Sequence, residues 1–392
     1  MTAAKLKQPL KAQQPITTVE QLHAHLYQAA QVELSTIPLY LYAAYSIQTQ
    51  GDWQWDPGVS AFRTIRSVVI EEMLHLCLVR NIMVGTGAPK FAFYDEDFVT
   101  KYPSPMLHRE PELMLRLEPC TPELMKRVFM PLELPAKTHA PPQPDSYNTL
   151  GQFYAAITAG LETLSGPKLW RNPRGDLQYT TSYWNQDGGG KPLCVTDLPS
   201  ALGAIETIVE QGEGADPDDP MVPLHPADPV AGMEEYSHYA KFQRIAEGID
   251  LIRDVWPVPT DPKAADFDEP VRGLAELFNA AYCYVLCMID ALYSTSADTV
   301  VANKRSRRYG LERTFIAAMG GLLFPIGDLL VRQRAKGRQS RHAAPTFEYH
   351  RFATDRPKKD QLIEMCDALL GPFPSMAGDD GVRKLIAKLP SV

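Results

Sequence analysis

Two five-residue stretches constrain this chain more than anything else in it. Glu71 to His75 reads EEMLH, and Glu234 to His238 reads EEYSH. Each is Glu-Glu, two spacers and His, in a run with helical character. With nine histidines and an ordinary glutamate content, chance supplies such a pattern roughly a few hundredths of a time. The chain therefore needs the same acid–imidazole pair in two places.

At about 100° per residue, Ile65, Val68, Val69, Leu76 and Val79 share one helix face with Glu72 and His75. A further helix, expected from Val230 to Arg253, repeats this, with Ala231, Tyr239, Phe242 and Ala246 flanking Glu235 and His238. The first helix also buries an acid: Leu22, Leu26, Ala29, Ala30, Ile37, Tyr40 and Ala44 surround Glu33. Three carboxylates and two imidazoles thus point into one core. An unpaired buried carboxylate costs several kcal/mol, so cations are expected among them. Glutamate oxygen and histidine nitrogen suit iron, manganese or zinc, and the absence of nearby cysteine argues against structural zinc or an iron–sulfur cluster. Glu-x-x-His on two helices, with one Glu from each of the other two, is the inward ligand set of di-iron carboxylate four-helix bundles. The third helix offers two acids for the sixth position. Periodicity prefers Glu206, near the stripe of Leu202, Ile205 and Val209, over Glu210 at its edge. The bland alternative, two buried Glu–His pairs without metal, leaves Glu33 and the third helix's acid unneutralised. Glu71 and Glu234 lie about 100° off the ligand face and are expected to orient a ligating His or to face solvent.

The chain divides around these helices. Residues 1–16 read as a loose arm and 17–255 as the bundle, opened by a capping box at Thr17 and Glu20. Pro38 predicts a kink in the first helix. The second helix is expected from Val59 to Met83, with Gly85 as its stop. An insertion, 86–196, follows between helices two and three, dense in proline, with one clear helix in YNTLGQFYAAITAGLETL and a short hairpin in LQYTTSYWNQDGGG. A connection this long reads as a lid or pocket wall. Its aromatics (Phe91, Phe93, Phe153, Tyr154, Trp170, Tyr179, Tyr183 and Trp184) are candidates to wall a cavity beside the metals. Residues 256–392 form a C-terminal helical region, with long apolar helices at 270–293 and 308–333 and shorter ones near 359–370 and 380–388. That region is expected to cap the bundle or to form a homodimer surface.

A net charge of −8 argues against a nucleic-acid footprint. No apolar run reaches membrane-spanning length without a charge or a breaker. The opening residues lack a signal-peptide core, and six scattered cysteines include no CxxC pair. A reduced, cytoplasmic setting is expected.

Four stretches carry a family resemblance: VELSTIPLYLYAAYSI, IEEMLHLCLVRNIMVGTGAPKF, AIETIVEQGEG and EEYSHYAKFQRI. In this order they resemble the ferritin-like domain of the iminophenylpyruvate dimer synthase family, found in bisindole pathways, over residues 17–250. The resemblance implies an all-α, ferritin-like four-helix bundle and oxidative chemistry in secondary metabolism. Because IVEQGEG is its recognisable part of helix three, it moves the expected ligand from Glu206 to Glu210. The expected metal set is then Glu33, Glu72, His75, Glu210, Glu235 and His238, holding two iron ions or manganese. The expected activity is a dinuclear metal oxidase or oxygenase that uses O₂ or peroxide on a small organic substrate, such as an amino-acid-derived imine. The competing class is a metal-storage or peroxide-scavenging protein without organic substrate. Bisindole-pathway members resemble longer proteins with associated haem, and this chain shows no haem-attachment motif.

Overall fold

A computed structural model describes residues 15–49, 60–106, 112–135, 147, 149–180, 189–214, 220–297, 307–335 and 341–392, with the side chain of Ile316 excepted. Most of the expected arm, the turn after the first helix, the tip of the expected hairpin with Tyr183 and Trp184, and His108 and His139 lie outside these residues. At the arm's described end, Ile16 is buried in the core.

The centre of the fold is the pairing of α1 (Val19–Ser46) with α2 (Ala61–Gly85). The α1 start lies one residue later than expected. Thr18 is the N-cap, accepting from Gln21 N at 3.2 Å, and the Gln21 side chain returns to Thr18 N at 3.1 Å. Gln21 is the third helical residue and can close the reciprocal pair, while Glu20 sits in the first turn, where a carboxylate suits the helix dipole. The helix continues past Pro38 to Ser46. Tyr102 of the insertion donates to the Ser35 carbonyl in the same turn, at 2.5 Å. Gly85 is the last residue of α2, and Gly87, at φ +71°, supplies the left-handed turn that ends it. Gly85 also admits a close neighbour: a Cβ there would lie 2.6 Å from the Val195 carbonyl oxygen.

The insertion carries a two-residue antiparallel ladder, β1 (Ser104–Pro105) with β2 (Met114–Leu115). Three short helical pieces follow in line: α3 (Pro122–Leu124), a π-helical turn (Met125–Phe129) and α4 (Met130–Leu132). Then comes α5 (Leu150–Leu164), capped by Thr149. The third bundle helix, α6 (Leu198–Gly212), opens on a capping box of Asp197 and Ser200. The fourth departs from expectation. Met221–Pro223 (β3) pairs antiparallel with Glu234–Tyr236 (β4), and only His238–Ala246 is helical (α7). Ser237 is its N-cap and Gly248, at φ +75°, follows its end. A serine one residue before the periodic run is a start signal, and it divides EEYSH between a strand and a helix.

Beyond the bundle, α8 (Val271–Leu292) is covered by α9 (Arg307–Ala318), α10 (Phe324–Val331) and α11 (Lys358–Leu369), with α12 (Val382–Lys388) against α11. A π-helical turn, Met319–Leu323, joins α9 to α10. Buried side chains from Ile16 to Leu389 form one continuous core through bundle, insertion and C-terminal helices. Among the described residues α8 alone, as an unbroken helix, is long and apolar enough to cross a membrane, and 83% of that apolar window is buried inside the fold.

Arg308 fastens three parts of this core together. It is 1% exposed and donates to the carbonyls of Leu292 (2.6 Å), Thr295 (2.8 Å) and Gln178 (2.6 Å), while Glu312 lies 2.6 Å from its Nε. Arg308→Met removes every one of those donors and leaves buried acceptors unmatched. It is expected to lower unfolding free energy by about 3 kcal/mol or more, read by urea denaturation. Arg308→Lys is expected to recover only part, since an ammonium cannot reproduce the planar fork.

Candidate metal centre

Helices α1 and α2 bring Glu33, Glu72 and His75 together, each 2% exposed. His75 Nδ1 lies 3.6 Å from Glu33 Oε2 and 3.9 Å from Glu72 Oε1. At the first residue of α7, His238 is fully buried, with Nδ1 3.0 Å from Glu72 Oε1 and 3.8 Å from Glu133 Oε1. The donor atoms of Glu33, Glu72 and His75 all lie within 4.8 Å of one another, as do those of Glu72, Glu133 and His238. Glu72 belongs to both groups. The two imidazoles stack at 5.3 Å between centroids.

Of the six residues expected from sequence, the structure gathers Glu33, Glu72, His75 and His238 in these groups, and Glu210 and Glu235 lie outside them. Glu210 is half-buried on α6, its carboxyl pushed up by burial and by neighbouring Glu206, which is exposed. Helix α6 presents Ile208 and Gln211 to the core instead, and Gln211 Oε1 lies 3.0 Å from His75 Nε2. Glu235 is on β4, where Lys241 Nζ reaches its Oε2 at 3.1 Å.

Two other buried carboxylates adjoin these groups. Glu133, 2% exposed, directly follows α4 and accepts from the Tyr40 hydroxyl at 2.5 Å. Its only sequence signal is an acid in the apolar run FMPLELP. Glu213, 5% exposed, directly follows α6 and lines the same cleft. It stands three residues past Glu210 within the motif already singled out. The Gly151 amide in the first turn of α5 donates to Glu213, and a Cβ at Gly151 would lie 2.3 Å from that carboxylate. A carboxylate suits a helix N-terminus. The cleft is small, ≈ 10 Å³, with Tyr154 and the start of α5 on one side and the end of α6 on the other.

Hydroxyls fix the other carboxylates. Tyr154 donates to Glu33, and Thr36 donates to Glu72 Oε2 at 2.7 Å. Burial first, and then Glu133 beside Tyr40 and Glu33 beside Tyr154, push both phenols well above their ordinary range, so both remain donors. Burial and then Glu133 push the Glu72 carboxyl up to about 7. Burial pulls both imidazoles down, but Glu33 lifts His75, and Glu133, Glu71 and Glu72 lift His238 further. These shifts have one origin: acids outnumber bases in a volume closed to water.

Among the described residues, the lysine beside these groups is committed elsewhere. Lys241, 7% exposed, lies 2.6 Å from Glu71 Oε2, and that oxygen also lies 2.9 Å from His238 Nε2. Burial pushes the Glu71 carboxyl up, but Lys241 and then His238 outweigh it and hold Glu71 far below the usual carboxylate range. Gly189 N completes Glu71 at 2.9 Å. Glu71 therefore turns His238 so that Nδ1 faces Glu72 and Glu133. Nδ1 is buried there, and the Glu72 oxygen 3.0 Å away is not aligned to receive a hydrogen bond from it. An orphaned imidazole nitrogen beside clustered carboxylate oxygens is a donor set that fits a transition-metal ion. Of the insertion aromatics, Tyr154 reaches this centre. Phe91 and Phe93 pack with Phe98 and Arg80, and Tyr179 packs on Phe315.

A helical bundle with adjoining carboxylate–imidazole groups at its middle defines the class: an all-α protein built around a buried metal-type centre. Within that class the chain belongs to the Ferritin-like family, whose family model matches residues 26–247. Two curated relatives are similar to it. Dichlorochromopyrrolate synthase of Lentzea aerocolonigenes is 28% identical over 88% of this chain and 37% of its own length. 2-Imino-3-(indol-3-yl)propanoate dimerase of Chromobacterium violaceum is 26% identical over 81% of this chain and 32% of its own. The chain thus spans about a third of the length of these relatives. The second name is that of an imine dimerase, the kind of enzyme to which the four sequence motifs are similar. A solved ferritin like protein from Caulobacter vibrioides is 23% identical, with a TM-score of 0.47 over 76% of this chain and 96% of that one.

The Lys241–Glu71 pair gives a direct test of this electrostatic reading. Lys241→Met strands a buried carboxylate beside further acids and is expected to cost about 3–5 kcal/mol of unfolding free energy. Adding Glu71→Gln removes the stranded charge and is expected to restore most of it. Urea denaturation of the single and double variants measures both. A cost below about 1 kcal/mol for Lys241→Met would mean that Glu71 is effectively solvated.

Proposed function

We propose that the chain is a metal-dependent oxidative enzyme acting on a small 2-imino acid with an aromatic side chain. The observation that carries this reading is the pair of donor groups sharing Glu72, in a chain similar to a protein named as an imine dimerase. Glu33, Glu72 and His75 would hold one ion and Glu72, Glu133 and His238 the second, with Glu213 completing the set at the cleft. Two iron ions suit these donors, and manganese shares the preference. In this reading Glu133 and Glu213 would stand where Glu235 and Glu210 were expected. When bound, the metals would supply redox exchange with dioxygen or peroxide and Lewis acidity toward the substrate.

The protein's own contribution is placement. Tyr154 and Tyr40 hold Glu33 and Glu133 by one oxygen each. Lys241, through Glu71, fixes the ring of His238. The insertion excludes water by laying α5 across the cleft. Joining two imino acids by a carbon–carbon bond releases two electrons and two protons, which O₂ or peroxide would accept. This favours an enzyme over a store of metal, because a store needs no lid whose residues touch the donors. A cytoplasmic setting accords with six cysteines that all remain free thiols.

Metal analysis separates the donors. Protein produced with iron is expected to hold about two ions per chain. Glu133→Ala and Glu213→Ala are expected to lower that content, as is His238→Ala, with a parallel fall in melting temperature. Glu210→Ala is expected to hold metal like the parent chain. Full occupancy in Glu133→Ala together with loss in Glu210→Ala would return the assignment to the one expected from sequence.

The reaction class has its own measurement. The ferrous protein is mixed with O₂ or peroxide and with 2-imino-3-(indol-3-yl)propanoate generated in place from tryptophan. The expected result is consumption of the imine to a coupled product detected by mass spectrometry. Oxidation of iron with the imine left unconsumed would favour storage or peroxide scavenging.

A further inference from the structure

The doubled motif leaves one half-buried acid unused. EEMLH supplies Glu72 and His75 to the cluster, and its Glu71 steadies His238 from behind. EEYSH supplies His238, but its Glu235 lies outside both donor groups. Lys241 Nζ lies 3.1 Å from Glu235 Oε2, and the other oxygen, Oε1, is buried without a hydrogen-bond partner.

A second unmatched atom lies close by. Gln211 is 1% exposed, and its Oε1 lies 3.0 Å from His75 Nε2, while its own Nε2 is buried with no partner. The two unmatched atoms meet at Gly189, whose amide also donates to Glu71 at 2.9 Å. A Cβ added at Gly189 would lie 1.6 Å from Glu235 Oε1 and 2.9 Å from Gln211 Nε2. At the next residue, Gly190, it would lie 3.1 Å from the same Gln211 Nε2. Glycine at both positions thus leaves room for the amide and the carboxylate beside one another. One atom is a donor and the other an acceptor, so a small turn of the Glu235 carboxyl satisfies both.

This neighbour decides which way the amide points. The oxygen and nitrogen of a glutamine amide are nearly the same size, so the surroundings set its orientation. Turned over, Gln211 would set its oxygen against an oxygen of Glu235, whose carboxylate form Lys241 favours. As placed, its NH₂ end lies toward Glu235 and its oxygen toward His75 Nε2. An amide oxygen only accepts, so His75 Nε2 carries the proton. The free nitrogen is then Nδ1, which lies 3.6 Å from Glu33 Oε2 and 3.9 Å from Glu72 Oε1. His238 repeats the arrangement, with Nε2 held by Glu71 and Nδ1 toward Glu72.

We propose that Gln211 is the positioning residue of His75, turning Nδ1 toward the donor group, and that Glu235 orients Gln211 in its turn. This rests on the metal-binding reading above, in which His75 is a ligand. Glu71 and Glu235, one from each motif, then serve alike behind the two imidazoles. Outer partners of this kind alter metal affinity by about 10–100-fold.

Zinc is the probe, because it has no redox chemistry of its own. The metal-free chain is titrated with Zn²⁺ calorimetrically, and the zinc-loaded chain with ¹⁵N-labelled histidine is read by NMR. The parent is expected to take up about two ions, with His75 bonded to zinc through Nδ1 and a slowly exchanging proton on Nε2. Gln211→Met keeps the length of the side chain and removes the acceptor. It is expected to weaken binding of one ion at least tenfold and to free the His75 Nε2 proton to exchange, with the His238 signals unchanged. Exchanging the pair, Gln211→Glu with Glu235→Gln, keeps an acceptor at His75 and a donor beside it. That double variant is expected to bind zinc about as tightly as the parent. Zinc bonded to His75 through Nε2 in the parent chain would overturn the proposal and leave the metal reading standing. So would an affinity unchanged in Gln211→Met, or an exchanged pair as weak as the methionine variant. A parent chain that takes up no zinc would overturn the metal reading itself, and the proposal with it.

Discussion

Acids outnumber bases at the centre of this fold, and much of the surrounding structure answers that imbalance. Glu33, Glu71, Glu72, Glu133 and Glu213 are all buried, with His75, His238 and Lys241 among them. Lys241 is taken up by Glu71 and Glu235, so among the described residues Glu33, Glu72 and Glu133 have imidazoles and hydroxyls but no lysine or arginine beside them. Such a group is tolerable in three ways: by protonation, by hydrogen bonds, or by a bound ion. The upward shift of Glu72 expresses the first, and Tyr40, Tyr154 and Thr36 supply the second. The unmatched Nδ1 of His238 marks where the third would act. A proton on an imidazole and a metal on the same nitrogen exclude one another. The raised imidazoles therefore describe the protein that an ion must displace protons to enter.

The fold class was legible because its signals are local and periodic. Glu72 and His75 lie within an unbroken helix, and 3.6-residue arithmetic places them on one face with no knowledge of partners. Glu33 is legible for the same reason on α1. The arithmetic fails where a helix is not one. Glu235 and His238 were placed together by assuming a helix across both, but Ser237 caps α7 and Glu235 belongs to a strand paired with Val222. Side chains on a strand alternate, and their direction after a cap cannot be extrapolated from the helix beyond. His238 still reaches the centre because it is the first residue of α7, aimed by Glu71.

Glu133 and Glu213 were illegible for a different reason. Neither owes its burial to its own element's periodicity. Glu213 lies at the end of α6, where the N-terminus of α5 crosses and offers the Gly151 amide. Glu133 follows three short helical pieces whose path is set by contact with α7 and by Tyr40 on α1. Both depend on packing between segments far apart in sequence, which a single sequence does not display. The motif IVEQGEG lies at the turn of α6 that reaches the cleft, and which of its acids faces the cleft is set by that neighbour.

These two carboxylates also change what the insertion is. A segment that merely shields a site can be removed and leave the donors behind. Here the insertion supplies Glu133, holds Glu33 through Tyr154, and holds Glu213 through Gly151. Docking of the insertion and completion of the proposed donor set would therefore be one event. Any ion that binds all of these carboxylates stabilises the closed arrangement by the same free energy with which that arrangement favours the ion. A bundle whose four helices held every donor would lack this coupling, and its metal would be equally available with the cleft open or shut. For an ion held as proposed, the coupling would tie its retention to exclusion of water, which is what an oxidative reaction on an organic substrate requires of its protein.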